Sequence, residues 1–194
     1  MKEALRRVLA AYEPQEVEPG SGARDAAVLL LLYRRGGEPH VVFQKRTHTV
    51  EHHKGQISLP GGAIDPDDPG HDFAALRETH EEIGVHPSDV ELLGRLDDLV
   101  TVATNYRVRP FVGWFEGGYG FRYSQREVAY LLEVPLSHLS RPEALVPDVR
   151  EIDGRQFVLP AYRFGDELIW GATARILTNF LDLYQVIERE LAGS

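Results

Sequence analysis

The longest apolar run in the chain, AAVLLLLY from Ala26 to Tyr33, is apolar at both alternating parities. The strand expected over 26–34 is therefore covered on both faces and belongs at the centre of a sheet. A second strand is expected at 40–46, and the RGGEP between them has the glycines of a hairpin loop. Further strands are expected near 90–100 and 107–115 (RVRPFVGWF), and EVAYLLEVPL (127–136) begins another apolar stretch. A hairpin is expected around REIDGRQFVLPAYRFGDELIWG. Helical spacing marks residues 3–12, ended by Pro14, and residues around 72–83, stopped by Gly84. It also marks about 172–191, where Ile176, Leu177, Phe180, Leu183, Tyr184 and Ile187 form an apolar stripe. VEPGSGAR (17–24) reads as a turn-rich linker, and there is no internal repeat or low-complexity block. Strands mixed with helices predict an α/β fold, a sheet layered with helices, in a single domain spanning 1–194.

Composition narrows the function. With 43% hydrophobic and 26% charged residues the chain is globular rather than disordered. It has no cysteine, which excludes disulfides, thiolate metal sites and a cysteine nucleophile. A net charge of -9 argues against nucleic acid as a partner, because phosphate backbones need a basic patch. A small polyphosphate remains compatible if divalent cations mediate. MKEALRRVLAAYEP lacks the apolar core of a signal peptide, the longest apolar run is too short to span a bilayer, and LAGS is no address signal. The expectation is a cytoplasmic protein with no membrane partner.

The chemistry concentrates in GQISLPGGAIDPDDPGHDFAALRETHEEIGV, residues 55–85. On a helical wheel with Glu78 at zero, Glu82 falls near 40° and Glu81 near about -60°. The three carboxylates share one stripe, with Phe73, Leu76, Thr79 and Ile83 on the other side. The expectation is therefore a helix with its apolar face in the core and an anionic ridge in water. Such ridges are commonly only solvated surface. Here, however, a strand-like segment and the pair Gly61–Gly62 lead into the helix, as in loops whose backbone amides approach phosphates. Magnesium and manganese take oxygen ligands and few carboxylates, so Glu78 and Glu82, at i and i+4, suit one ion. Glu81 suits a second ion or a water, and Arg77 lies one turn before it, placed to orient it.

These residues resemble the signature of the Nudix hydrolases, G-x5-E-x7-R-E-U-x-E-E-x-G-U, where U is bulky and apolar. RETHEEIGV (77–85) supplies Arg77, Glu78, Glu81, Glu82 and Gly84, with Thr79 at a U position. Counted from Gly62, the early acidic position falls on Asp68, and Arg77 arrives one residue late. A branch that cleaves coenzyme A has a similarly lengthened box, GGxxDxxD, matching GGAIDPDD (61–68) here. Its upstream arginine–serine, glycine and F-P-G-G pattern is similar to RTHTVEHHKGQISLPGG (46–62), through Arg46, Gly55, Pro60, Gly61 and Gly62. Thr47 and Leu59 are mild changes; Glu51 stands where the pattern has an arginine. The two patterns cover about 40 residues.

The resemblance implies a Nudix fold, a mixed β-sheet sandwiched between α-helices, with the N- and C-terminal helices as additions. It implies hydrolysis of a coenzyme A pyrophosphate with Mg2+ or Mn2+, giving 3′,5′-adenosine bisphosphate and 4′-phosphopantetheine. Glu78, Glu81 and Glu82 are the expected metal ligands. Glu78, Glu81, Arg77 and Glu127 are the expected catalytic residues, with Glu127 the candidate general base and Glu116 a weaker one. Arg46, His53, Lys54, Gly61 and Gly62 are the expected substrate-binding residues. Tyr106 and Phe121 flank loops where adenine could stack, and Trp170 reads as core. Asp65 and Asp68 read as water-binding or turn-capping residues. The alternatives are another nucleotide, such as ADP-ribose or a dinucleoside polyphosphate, and a noncatalytic nucleotide-binding module, which retention of all three carboxylates opposes. A zinc pair at His48 and His52 lacks HExxH, and calcium at DPDDPG lacks EF-hand spacing.

Overall fold

The computed structural model describes residues 1–18, 20, 22–47, 55–101, 104–117, 120–152 and 154–192. Helix α1 (Lys2–Ala11) opens the chain, and β1 (Arg24–Arg35) and β2 (Glu38–Arg46) form the expected hairpin. The short strands β3 (Ile57–Ser58) and β4 (Gly61–Ala63) lead into α2 (His71–Ile83). Then come β5 (Val90–Arg95), β6 (Leu99–Val100), β7 (Tyr106–Phe115), β8 (Val128–Pro135) and the short α3 (Leu136–Leu139). A meander of β9 (Leu145–Ile152), β10 (Arg155–Phe164) and β11 (Glu167–Ile169) precedes the final helix α4 (Gly171–Ala192). No helix among the described residues is long and apolar enough to cross a membrane.

The larger sheet is mixed and runs β3-β2-β1-β7-β5, with β4 also on β1, β6 on β7 and β8 on β2. As its apolar run predicts, β1 is central. One edge pairs in parallel with β7 from Arg24↔Tyr106 to Tyr33↔Phe115. The other edge is shared: β2 takes residues 31–35 and β4 takes 26–28. That division brings the glycine pair into the interior of the sheet. Successive β1 residues then serve two cores. Leu30 and Leu32 join Leu5, Phe43, Leu177, Phe180 and Ile187 beneath α1 and α4, whereas Leu29 and Leu31 join Ala74, Ala75, Ile83 and Phe115 beneath α2.

Two expectations are corrected. The strand expected at 90–100 is divided: the β5–β7 register shifts between Leu92 and Gly94, and residues 96–98 leave the ladder before β6. Asp98 is buried and accepts two hydrogen bonds from Arg109, at 3.0 and 2.9 Å. More consequentially, α2 is rotated from its expected pose. Its buried residues are Ala74, Ala75, Thr79, Glu82 and Ile83, while Phe73 is 49% exposed. On the same wheel the buried face centres near about 60°, so Glu82 lies within it rather than on an outer ridge. The small alanines let α2 approach β1 and β4 closely, which a helix seated on Phe73 does not.

Candidate active site

Three backbone donors and a close backbone approach fix the far end of α2. The helix stops at Gly84, whose φ of 76° is left-handed and whose N–H donates to His80 O at 2.9 Å. A Cβ there would also stand 2.6 Å from Arg122 O. This close approach lets Arg122 N donate to Ile83 O (3.1 Å) and Ser124 N to Glu82 O (2.9 Å). The loop so attached carries Glu127, whose N–H donates to Ser124 O (3.0 Å) and whose carbonyl accepts from Thr47 N (2.9 Å). The helix end, the end of β2 and the Glu127 loop are thereby joined.

Glu82 is the most buried carboxylate of the site, 2% exposed. Its Oε2 accepts from Gly61 N (2.9 Å) and Gln44 Nε2 (2.7 Å), and its Oε1 from Arg46 Nη1 (3.0 Å). Burial pushes its pKa up to about 7, against the Gly61 amide, Arg46 and Gln44, which favour the anion. Glu78 is partly buried, and its pKa is also raised, mainly by desolvation. Arg77 opposes that rise, while the charges of Glu81 and Glu127 add to it.

Arg77 sits between the carboxylates. Its Nη1 donates to Glu78 Oε1 (2.9 Å) and Glu81 Oε2 (3.3 Å). Its Nε and Nη2 grip Asp68 at 3.0 and 2.9 Å, and Asp68 Oδ2 also accepts from Asp65 N at 2.8 Å. Asp68 thus caps its turn, as expected, and in addition anchors Arg77. These acceptors raise the Arg77 pKa, with Asp68 the largest contribution. The extra residue before α2 lies inside this turn-to-arginine connection.

Both glycines clear space, each differently. Gly61 has φ 147°, and a Cβ on it would lie 2.3 Å from Ala27 O. A Cβ on Gly62 would lie 2.6 Å from the Glu78 carboxylate. The Gly61 amide, expected to approach a phosphate, donates instead to Glu82. Arg46, also expected at substrate, has its Nη1 on Glu82, while its Nε is buried without a partner among the described residues. His53 and Lys54 lie outside the described residues, as do Glu51 and the His48–His52 pair.

Other candidates fall away from this cluster. Glu116 is 70% exposed at its side chain and bound to Lys2 of α1 at 2.5 Å, which removes it as the alternative base. Tyr106 is covered by Arg24, 4.5 Å from its ring centre, and Phe121 meets Tyr33 edge-on at 5.3 Å. Trp170 is half-buried beneath Arg150, 4.5 Å away. Gln44, which donates to Glu82, is a residue of this cluster that was not among the sequence candidates. Its signal was available: it is the polar interruption in HVVFQKR, and a polar side chain in a buried strand needs a partner.

Among the described residues no three acidic or imidazole side chains already surround a common point as a metal cage. The donor set nevertheless suits a hard divalent cation. One positive group, Arg77 Nη1, already lies within reach of both Glu78 and Glu81, so these carboxylates can converge on a cation.

A model of the NUDIX domain matches residues 23–161. The chain belongs to the Nudix hydrolase family. Among Nudix relatives, it is 38% identical over 157 residues to the uncharacterized Nudix hydrolase NudL of Enterobacter sp. (strain 638), covering 79% of each chain. To NudL of Escherichia coli (strain K12) it is 37% identical over 158 residues, again 79% of each. The Nudix fold is shared with the MutT/nudix family protein from Enterococcus faecalis, with a TM-score of 0.61 at 16% identity over 95% of this chain and 73% of that one. Nudix hydrolases generally use divalent metal cations, in keeping with the oxygen donors of Glu78, Glu81 and Glu82.

Proposed function

We propose that this Nudix hydrolase cleaves the pyrophosphate of coenzyme A, free or in acyl or oxidised form, to 3′,5′-adenosine bisphosphate and 4′-phosphopantetheine. The observation that carries this reading is the contact between Arg46, first residue of the upstream pattern, and Glu82 of the box, at 3.0 Å. That contact supports reading the coenzyme A-type pattern and the hydrolytic box as one site. Arg46 N also donates to Gln56 O (2.9 Å) and Gly55 N to Arg46 O (3.2 Å), so Gly55 and Gln56 are held beside Arg46.

Magnesium or manganese, held by Glu78, Glu81 and Glu82, would neutralise phosphate charge and lower the pKa of water there. The protein contributes positioning, which dominates phosphoryl transfer. Gly61, Gln44 and Arg46 hold Glu82 in one rotamer. Asp68 fixes Arg77, which in turn orients Glu78 and Glu81. Glu127 is the proton acceptor: water oxygen bonds to one phosphorus, the bridging P–O bond breaks, and the water proton passes to the carboxylate.

Mass spectrometry of products formed from coenzyme A in 18O-labelled water tests this. Label in one of the two phosphate monoesters is the expected result. Glu51, where the pattern has an arginine, makes ADP-ribose the informative competitor. Rapid cleavage of ADP-ribose beside weak turnover of coenzyme A would replace the proposed substrate with another nucleoside diphosphate derivative.

A further inference from the structure

The smaller sheet carries side chains that hydrolysis does not use. Its order is β11-β10-β9, and no strand among the described residues pairs with the outer edge of β9. Register sets Val149 opposite Val158, Pro147 opposite Pro160 and Leu145 opposite Tyr162. Directly opposed residues share a face. On that face Val158 is 69%, Val149 57% and Leu145 50% exposed. An antiparallel sheet ordinarily turns polar side chains to water on its open face. Tyr162, at one end of this face, is buried against Thr178 of α4; toward the hairpin, an exposed apolar strip lies beside an edge that no described strand pairs.

The register also determines what the edge presents. Ile152 pairs with Arg155 across two intervening residues, which makes it a hydrogen-bonded pair and assigns the same state to residues 150, 148 and 146. Val149 and Glu151 therefore aim their main-chain N–H and C=O groups outward, and Pro147 aims its C=O outward. Both prolines occupy non-hydrogen-bonded pairs, where they cost the β9–β10 ladder nothing.

We infer that β9 pairs antiparallel with β9 of a second copy, about a two-fold axis through Val149. The two Val149 residues exchange a pair of hydrogen bonds, and each Glu151 N–H reaches the Pro147 carbonyl across the axis. Asp148 of each copy then lies opposite Arg150 of the other. Moving the axis one residue either way sets two aspartates or two arginines face to face, which is destabilising. Within one chain Arg150 Nε lies 2.8 Å from Asp148 Oδ1, so both charges already stand together at this edge. On the other face the row Val158–Val149–Val149–Val158 becomes continuous across a six-stranded sheet. The charge pattern is self-complementary about a single residue, which selects a second copy as the occupant and closes the assembly at two.

The chain has no cysteine, so Val149→Cys places one thiol per copy on the proposed axis. Paired Cα atoms there are about 5.5 Å apart, within disulfide range. Under mild oxidation Val149→Cys is expected to run as a covalent dimer of twice 21.8 kDa on non-reducing gels, with Val158→Cys remaining monomeric. Sedimentation equilibrium of the unmodified protein at micromolar concentration is expected to give the same doubled mass. Asp148→Arg and Arg150→Asp, each alone, are expected to sediment as monomers, and their mixture as a dimer, since both crossings again join opposite charges. Circular dichroism and turnover of each variant verify that it is folded. A monomeric unmodified protein, equal cross-linking at 149 and 158, or a mixture that stays monomeric would overturn the arrangement.

Discussion

Helices α2 and α4 lie on opposite faces of one sheet and bury opposite kinds of side chain. Helix α4 buries bulk: Ile176, Leu177, Phe180, Tyr184 and Ile187 are at most 5% exposed. Helix α2 buries Ala74 and Ala75, a threonine and a carboxylate, and leaves its phenylalanine outside. The difference separates a helix that holds the fold from one that holds a site. Large side chains keep α4 away from the strands and gain apolar burial. Alanines bring α2 close enough for Gly61 N, Gln44 and Arg46 to reach Glu82, and the burial that results penalises its charge.

Breaking α4 should therefore cost stability, and breaking α2 should cost chemistry. Phe180→Ala is expected to lose about 3–5 kcal/mol, read by urea denaturation, with turnover per folded molecule preserved. Next in size is the pH dependence of Glu82. Its folded pKa of about 7 lies above the ordinary 4.5, so the native state holds the proton longer. The group's stabilisation is full below pH 4.5 and is lost as pH rises through 7, about 3 kcal/mol in the metal-free protein. Glu82→Gln removes this slope, so the difference in stability between metal-free wild type and variant should change between pH 4.5 and 8.

Two smaller effects sharpen the contrast. Ala75→Leu overpacks the α2–sheet contact and is expected to cost about 1–3 kcal/mol, whereas Leu177→Met in α4 should cost less than about 1.5. Turnover should fall only for Ala75→Leu, because it lifts the carboxylates from their donors. Gln44→Leu removes one donor from Glu82 and leaves the other two. Its Mn2+ affinity should fall about 10–100-fold, measured by titration calorimetry.

Legibility in the sequence followed side-chain size. The β1 run, the β1–β2 hairpin and the α4 stripe were readable because large apolar residues recur at strand or helix spacing. The stripe of carboxylates and the Gly84 stop were readable too. The orientation of α2 was not, because Phe73 outweighed two alanines on the wheel, and nothing local shows that β4 pairs with β1 and lays glycines beneath the helix. That pairing is non-local, between residues 26–28 and 61–63. Asp68 was visible as an acidic position, but its hold on Arg77 depends on how the turn folds back. Glu127 was legible only as a candidate, from its place beside turn residues before an apolar run; its attachment to the helix end depends on the non-local Ser124 bond.

On the proposed function, the sheet holds Glu82 as a buried metal-binding carboxylate. Electron paramagnetic resonance of Mn2+ titrated into wild type and Glu82→Gln tests it directly, with circular dichroism on the same samples. At least a tenfold loss of Mn2+ affinity is expected in a variant that remains folded. Equal Mn2+ binding by the two proteins would contradict it.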